Sequence, residues 1–93
     1  MARIFIIDDD SAMAEWVSNL CRDRGHQPFP YDSSQAAIDA LPSIAPQLVI
    51  ADLKPDKTDG FDILGACRES HFNTVVVMIV AFESVQLALK AMQ

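Results

Sequence analysis

Four short apolar runs, each followed by a stretch with helical spacing, constrain this chain more than any other feature. Ile4-Phe5-Ile6-Ile7 has no polar interruption, as a strand buried on both faces requires. Leu48-Val49-Ile50-Ala51 repeats that pattern and ends at Asp52. Thr74 to Val80 is the most apolar and most β-branched run. Gln27 to Tyr31 is weaker, because Pro28 and Pro30 remove two backbone donors, and it is expected at a sheet edge.

Helical patterns fill the intervals. Met13, Val17 and Leu20 recur at helical spacing, with Trp16 and Cys21 widening the stripe, after Ser11 as a candidate cap. Gly25 is placed to end that helix as its C′ residue. A second helix is expected over about Ser34 to Leu41, stopping at Pro42. Lys54 to Gly60 reads as a polar loop, and Phe61, Leu64 and Cys67 mark one face of a third helix. A last helix, capped by Ser84 and carrying Val85, Leu87, Ala88 and Ala91, runs to the end at Gln93. Trp16 and Phe61 are expected in the core or a groove. Strands alternating with helices predict a parallel α/β sheet with right-handed crossovers, and chemistry past the carboxyl ends of its strands.

The 93 residues, 51% apolar, suit one domain over residues 1–93. A net charge of −6 argues against direct nucleic-acid contact by this chain, which needs clustered Lys and Arg. The start shows no signal peptide, and no apolar stretch is long enough to span a bilayer, so the chain is expected to be soluble and cytoplasmic. Cys21 and Cys67 show no metal-ligand spacing and read as free thiols packed as small hydrophobes. His26 and His71 follow helix ends, where the dipole favours them.

The chemistry-bearing residues are aspartates. Asp8, Asp9 and Asp10 follow the first strand directly, and Asp52 follows the third. If those strands are neighbours, the carboxylates meet in one crevice and repel unless a cation is present. Mg²⁺ needs only one or two carboxylates plus waters, which leaves positions open to a phosphoryl group. Any one of these aspartates could instead be a solvated turn former or helix cap. A triple Asp behind one buried strand and a lone Asp behind another are better explained by a cation site.

In order and spacing, Arg3-Ile-Phe-Ile-Ile-Asp-Asp-Asp10, Leu48-Val-Ile-Ala-Asp-Leu53, Asp59-Gly60 and Val77-Met-Ile-Val-Ala-Phe-Glu-Ser-Val85 with Ala91-Met92 resemble the response-regulator receiver domain of two-component signalling. The likeness is greatest to receivers of ATPase-type transcription activators. It implies a flavodoxin-like three-layer fold of order 2-1-3-4, lacking the family's fifth strand and helix; the handedness and order are those of doubly wound sheets. It implies Asp52 as phosphoacceptor, served by a sensor histidine kinase. Mg²⁺ would be held by Asp8, Asp9, Asp52 and the backbone carbonyl of Lys54. The backbone amides of Leu53 and Ala81 would meet the phosphoryl group, and Asp10 would cap the first helix rather than bind metal. The domain would signal to an output domain rather than turn over a substrate.

Three positions depart from the family. Val80 stands where the family places Thr or Ser, removing a charge-assisted hydrogen bond worth about 1.5–3 kcal/mol. The family's Lys after a fifth strand has no counterpart; Lys54, Lys57 and Lys90 do not match it. Pro55 lies three residues after Asp52 rather than four, with Asp56 in the usual proline place. Residues 1–93 are thus expected to be a receiver truncated at its C-terminal end, either a piece of a longer regulator or a short, degenerate receiver. A non-phosphorylated pseudo-receiver acting as an interaction or dimerisation module is the alternative. A haloacid-dehalogenase-type phosphatase is more remote: Asp8 and Asp10 fit its aspartate pair, but Ala12 stands where it wants Thr or Val. Without a fifth strand, Thr74 to Val80 becomes an unprotected edge, and a homodimer through the fourth strand and final helix is expected.

Overall fold

The computed structural model describes residues 1–53, 59–70, 73–80 and 92. Its elements are β1 (Arg3–Ile7), α1 (Ser11–Asp23), β2 (Gln27–Tyr31), α2 (Ser34–Ile44), β3 (Leu48–Leu53), α3 (Asp59–Glu69) and β4 (Val75–Val80). All strand pairs are parallel and the order is β2-β1-β3-β4, as expected. The proline-bearing β2 is an edge strand, where its missing donors cost nothing to the ladder. The final helix expected from Ser84 lies outside the described residues.

Central β1 divides the core in two. Phe5 and Ile7 join Ala37, Leu41, Val49, Ala51, Ile63 and Cys67 under α2 and α3. Ile4 and Ile6 join Ala14 and Cys21 under α1. Phe5, fully buried, meets Tyr31 edge-on at 4.8 Å between ring centroids and Phe29 at 6.1 Å. Both cysteines are buried and free, and burial pushes the Cys67 thiol up from its ordinary pKa.

Helix α1 corrects the expected apolar stripe. Its buried positions are Ala14, Ser18 and Cys21, with Val17 half-buried beside them. Trp16 is 60% exposed and Met13 46% exposed, so neither belongs to the core. Small residues face the sheet because they let the helix approach closely; the large ones lie on the outer flank. The cap is Asp10 rather than Ser11, which is the first helical residue. In α3 the buried residues are Ile63 and Cys67, with Leu64 only half-buried; the side chain of Phe61 lies outside the described residues.

Element ends also differ from expectation. Helix α2 continues through Pro42 to Ile44, capped at its start by Ser33, whose Oγ accepts from the Ala36 N–H at 3.2 Å. Its end is fixed from outside. Ala45 turns left-handed (φ 52°) and returns its N–H to the Leu41 carbonyl, while the Arg3 guanidinium donates to the carbonyls of Ile44 and Ala45. These bonds from another element outweigh the proline's local bias. Strand β3 runs on through Asp52 to Leu53, because Ile79 and Val80 of β4 pair with those residues. Helix α3 starts at Asp59, inside the stretch expected to be loop. Thr74 precedes β4 and donates its hydroxyl to the Pro46 carbonyl at 2.8 Å.

Gly25 ends α1 as expected, at φ 81°. Its N–H donates to the Arg22 carbonyl and the His26 N–H to the Cys21 carbonyl, a Schellman closure. The His26 ring acts differently from the dipole role expected: its Nδ1 accepts from the Ala2 N–H at 3.0 Å. His71 lies outside the described residues.

Gly25 and Ala45 make opposite predictions. An added Cβ at Gly25 meets nothing within 4 Å, so Gly25→Ala should cost only backbone strain, about 1–2 kcal/mol. Ala45→Gly should relieve that strain against about 0.4–1 kcal/mol of unfolded-state entropy, a net gain of about 0.5 kcal/mol. Urea unfolding of the two variants checks both signs.

Candidate functional site

The register of the central strands builds the site. Ile7 of β1 is opposite Ala51 of β3, so Asp8 and Asp52 follow at neighbouring positions on strands about 4.8 Å apart. Alternation sends both toward the α1 side of the sheet, since Ile7 and Ala51 face α2 and α3. On its other side Asp8 extends the β1–β2 ladder: its N–H donates to the Tyr31 carbonyl at 3.0 Å. The sequence alone offered no sign of this bond, which ties the end of β2 to the site.

The three consecutive aspartates have different surroundings. Asp8 is buried, only 7% exposed, and its Oδ1 accepts from the Asp10 N–H at 2.9 Å. Asp9 is exposed at the turn. Asp10 caps α1, its Oδ1 accepting from the N–H groups of Ala12 and Met13 at 3.0 and 3.2 Å. That carboxylate satisfies two of the helix's otherwise unpaired donors. Asp10 is thereby committed to the fold, as expected.

Asp52, half-buried, is the next-to-last residue of β3 and pairs with Ile79. Leu53 pairs with Val80, which puts the end of β4 one rung beyond Asp52. Lys54 and Ala81, assigned by resemblance a metal-binding carbonyl and a phosphoryl-binding amide, lie outside the described residues, as do Pro55 and Asp56. Among the described residues no three His, Cys, Asp or Glu side chains are grouped as a metal cage. The donor set still suits a hard cation that keeps most of its waters, because two carboxylates on adjacent strand ends meet Mg²⁺'s needs.

A groove of about 460 Å³ runs from Asp8 along α1, lined among others by Ser11, Glu15, Arg22, Tyr31 and Asp32. Burial raises the Tyr31 phenol above its ordinary pKa. A larger hollow of about 660 Å³, lined by residues such as Cys67, Arg68 and Thr74, lies at the amino end of β4. Its described lining holds no carboxylate, and it is at the wrong end of a parallel sheet for chemistry.

Comparison with known proteins follows the same pattern. The sequence profile of the response regulator receiver domain matches residues 4–93. The response regulator protein FleR of Pseudomonas aeruginosa is 32% identical over 92 residues, covering 99% of this chain and 20% of FleR. The transcriptional regulatory protein FixJ of Bradyrhizobium diazoefficiens is 29% identical, covering 97% of this chain and 44% of FixJ. This chain therefore spans less than half the length of either relative. The crystal structure of the signal receiver domain of a putative Luxo repressor protein from Vibrio parahaemolyticus superposes with a TM-score of 0.81 at 27% identity. That match covers 99% of this chain and 71% of the other. A receiver domain from Clostridium thermocellum gives a TM-score of 0.85 at 24% identity, over 99% and 75% of the two chains, a likeness of fold.

The capping role of Asp10 is separable from the site. Asp10→Ala should cost about 1 kcal/mol, and Asp10→Ser should restore most of it. Thermal unfolding of the two variants, followed by circular dichroism, reads the difference.

Proposed function

This chain belongs to the response regulator receiver domain family, and from that premise we propose that it accepts a phosphoryl group on Asp52 from a sensor histidine kinase. The observation that carries this reading is the pairing of Ile7 with Ala51, which sets Asp8 and Asp52 side by side at the carboxyl ends of adjacent strands. In the transfer, a carboxylate oxygen of Asp52 forms the new P–O bond as the P–N bond of the kinase phosphohistidine breaks. Asp8, Asp9, Asp52 and the Lys54 carbonyl would hold Mg²⁺, which when bound neutralises charge on the phosphoryl oxygens. The backbone amides of Leu53 and Ala81 would orient that group.

The domain acts as a signalling module and controls an output domain or partner, of the ATPase-type activator kind, in the cytoplasm. Among the described residues no helix is long and apolar enough to cross a membrane. The acidic charge of −6 keeps this chain off nucleic acid directly. A second copy of the chain is its other partner.

Val80 supports a second reading, a pseudo-receiver that binds partners without being phosphorylated. Its backbone occupies the last rung of β4, where the family carries a hydroxyl, and it supplies none.

Mg²⁺ should raise the melting temperature by mass action, and Asp52→Asn or Asp9→Asn should reduce the effect. With a small phosphodonor, intact mass should show only a slow, Mg²⁺-dependent adduct, absent from Asp52→Asn. Rapid and near-complete labelling would show that the missing hydroxyl and lysine are dispensable. A melting temperature indifferent to Mg²⁺, with no adduct at any time, would overturn the phosphoacceptor reading in favour of the pseudo-receiver.

A further inference from the structure

The groove along α1 shares only Asp8 with the chemistry assigned above. Its volume, about 460 Å³, lies within the roughly 300–1,000 Å³ of small-molecule sites. Its walls come from residues between 8 and 32, all of them described. The sheet order puts β3 and β4 on the other side of β1 from β2, which forms one of those walls.

One line of α1 faces the groove. Ser11, Glu15, Ser18 and Arg22 recur at the spacing that stacks side chains along one helix face. Pro30 and Asp32 stand opposite. Tyr31 packs against Phe5 on the α2 side of the sheet, so its two neighbours turn toward α1. Ile7 pairs with Tyr31, which sets Asp8 and Asp32 side by side at the carboxyl end of the strands.

The two ends of the groove differ in charge. Asp8, Asp32 and Glu15 make one end acidic. They are not grouped as a metal cage, so that end suits an ammonium, which donates in three directions, rather than a bare metal ion. Arg22 lies seven residues after Glu15, about 10 Å along the helix axis. One of its nitrogens donates to the Asn19 side chain at 3.0 Å, and the guanidinium has further donors for a carboxylate. Between the ends Ser18 is 2% exposed, and its Oγ has no hydrogen-bond partner. A buried hydroxyl without a partner is uncommon in a native structure. A ligand in the groove supplies one, because a hydroxyl rotates to donate or accept.

We propose that this groove binds a short zwitterion in extended form, its ammonium among Asp8, Asp32 and Glu15 and its carboxylate on Arg22. Three residues of extended peptide span about 10 Å, which matches the separation of the two ends. An unbranched ω-amino acid of similar length carries the same two charges. A purely cationic ligand leaves Arg22 unmet, and a purely anionic one is repelled by the three carboxylates. The site goes beyond the phosphoacceptor reading and needs neither Asp52 nor Mg²⁺.

Trialanine titrated into the whole chain should bind with a Kd of about 0.1–1 mM, the strength open to a ligand of this size in an open groove. Amide NMR shifts should be confined to α1 and to Tyr31 and Asp32. N-acetyl-trialanine lacks the ammonium and trialanine amide lacks the carboxylate; each should bind roughly tenfold more weakly. Arg22→Gln should weaken trialanine to the same degree and leave trialanine amide unchanged. Asp32→Asn should weaken trialanine and leave the acetylated peptide unchanged. Ser18→Ala should bind less tightly yet melt no lower than the parent, because the hydroxyl it removes has no partner. Equal binding of 7-aminoheptanoate would support recognition by the two charges alone, and weaker binding would support a peptide. Asp52→Asn should bind trialanine like the parent, which separates this site from the phosphoacceptor reading. No shift at about 10 mM trialanine would overturn the proposal. So would an amide that binds as tightly as trialanine itself, or binding that survives both Arg22→Gln and Asp32→Asn.

Discussion

The double burial of β1 is the constraint on which the rest depends. Ile4, Phe5, Ile6 and Ile7 are each nearly inaccessible, and they alternate between the two halves of the core. A strand with both faces committed cannot slip by one residue without moving every side chain to the wrong layer. That fixes the rung on which β1 ends, and hence where Asp8 emerges. The pairing with β3 then fixes Asp52 beside it. The acidic site is a consequence of hydrophobic register, since its carboxylates repel and could not assemble it themselves.

Both ends of β1 are also tied down by polar bonds. At its start Arg3 closes the end of α2 through two carbonyls, and the Ala2 N–H is taken by His26. At its finish Asp8 is held by Tyr31 on one side and receives the Asp10 N–H on its carboxylate. Of three consecutive aspartates, one is spent on the helix cap. Of the other two, Asp8 is buried and accepts the Asp10 N–H, while Asp9 is exposed at the turn. Adjacent positions in a turn do different work because a single residue rotates the chain from strand to helix.

Strand identity and the aspartates at the strand ends were legible because each rests on a strong local signal, whereas the strand order was implied only by the resemblance to receiver domains. Runs such as Ile4 to Ile7 admit few structures, and Pro28 with Pro30 mark an edge on their own. What was not legible depends on contacts between elements. The inward face of α1 could not be read from apolar spacing, because Ala14 and Ser18 win burial by size while Trp16 stays outside. Pro42 should have ended α2, but Arg3, some forty positions away in sequence, completes the helix beyond it. Asp52 was expected just past its strand; β4 supplies the partners that extend β3 through it. Asp10 was the exception among the polar details, since a carboxylate before a helix is a local signal.

The two edges of the sheet are handled by opposite means. On β2 the prolines remove donors, and its residues are packed by Phe5, so that edge offers little to another strand. On β4 nothing removes donors, and alternate residues leave an apolar stripe in water. The stripe ends at Ile79, which shares a rung with Asp52, so the edge and the acidic end lie on one pair of strands.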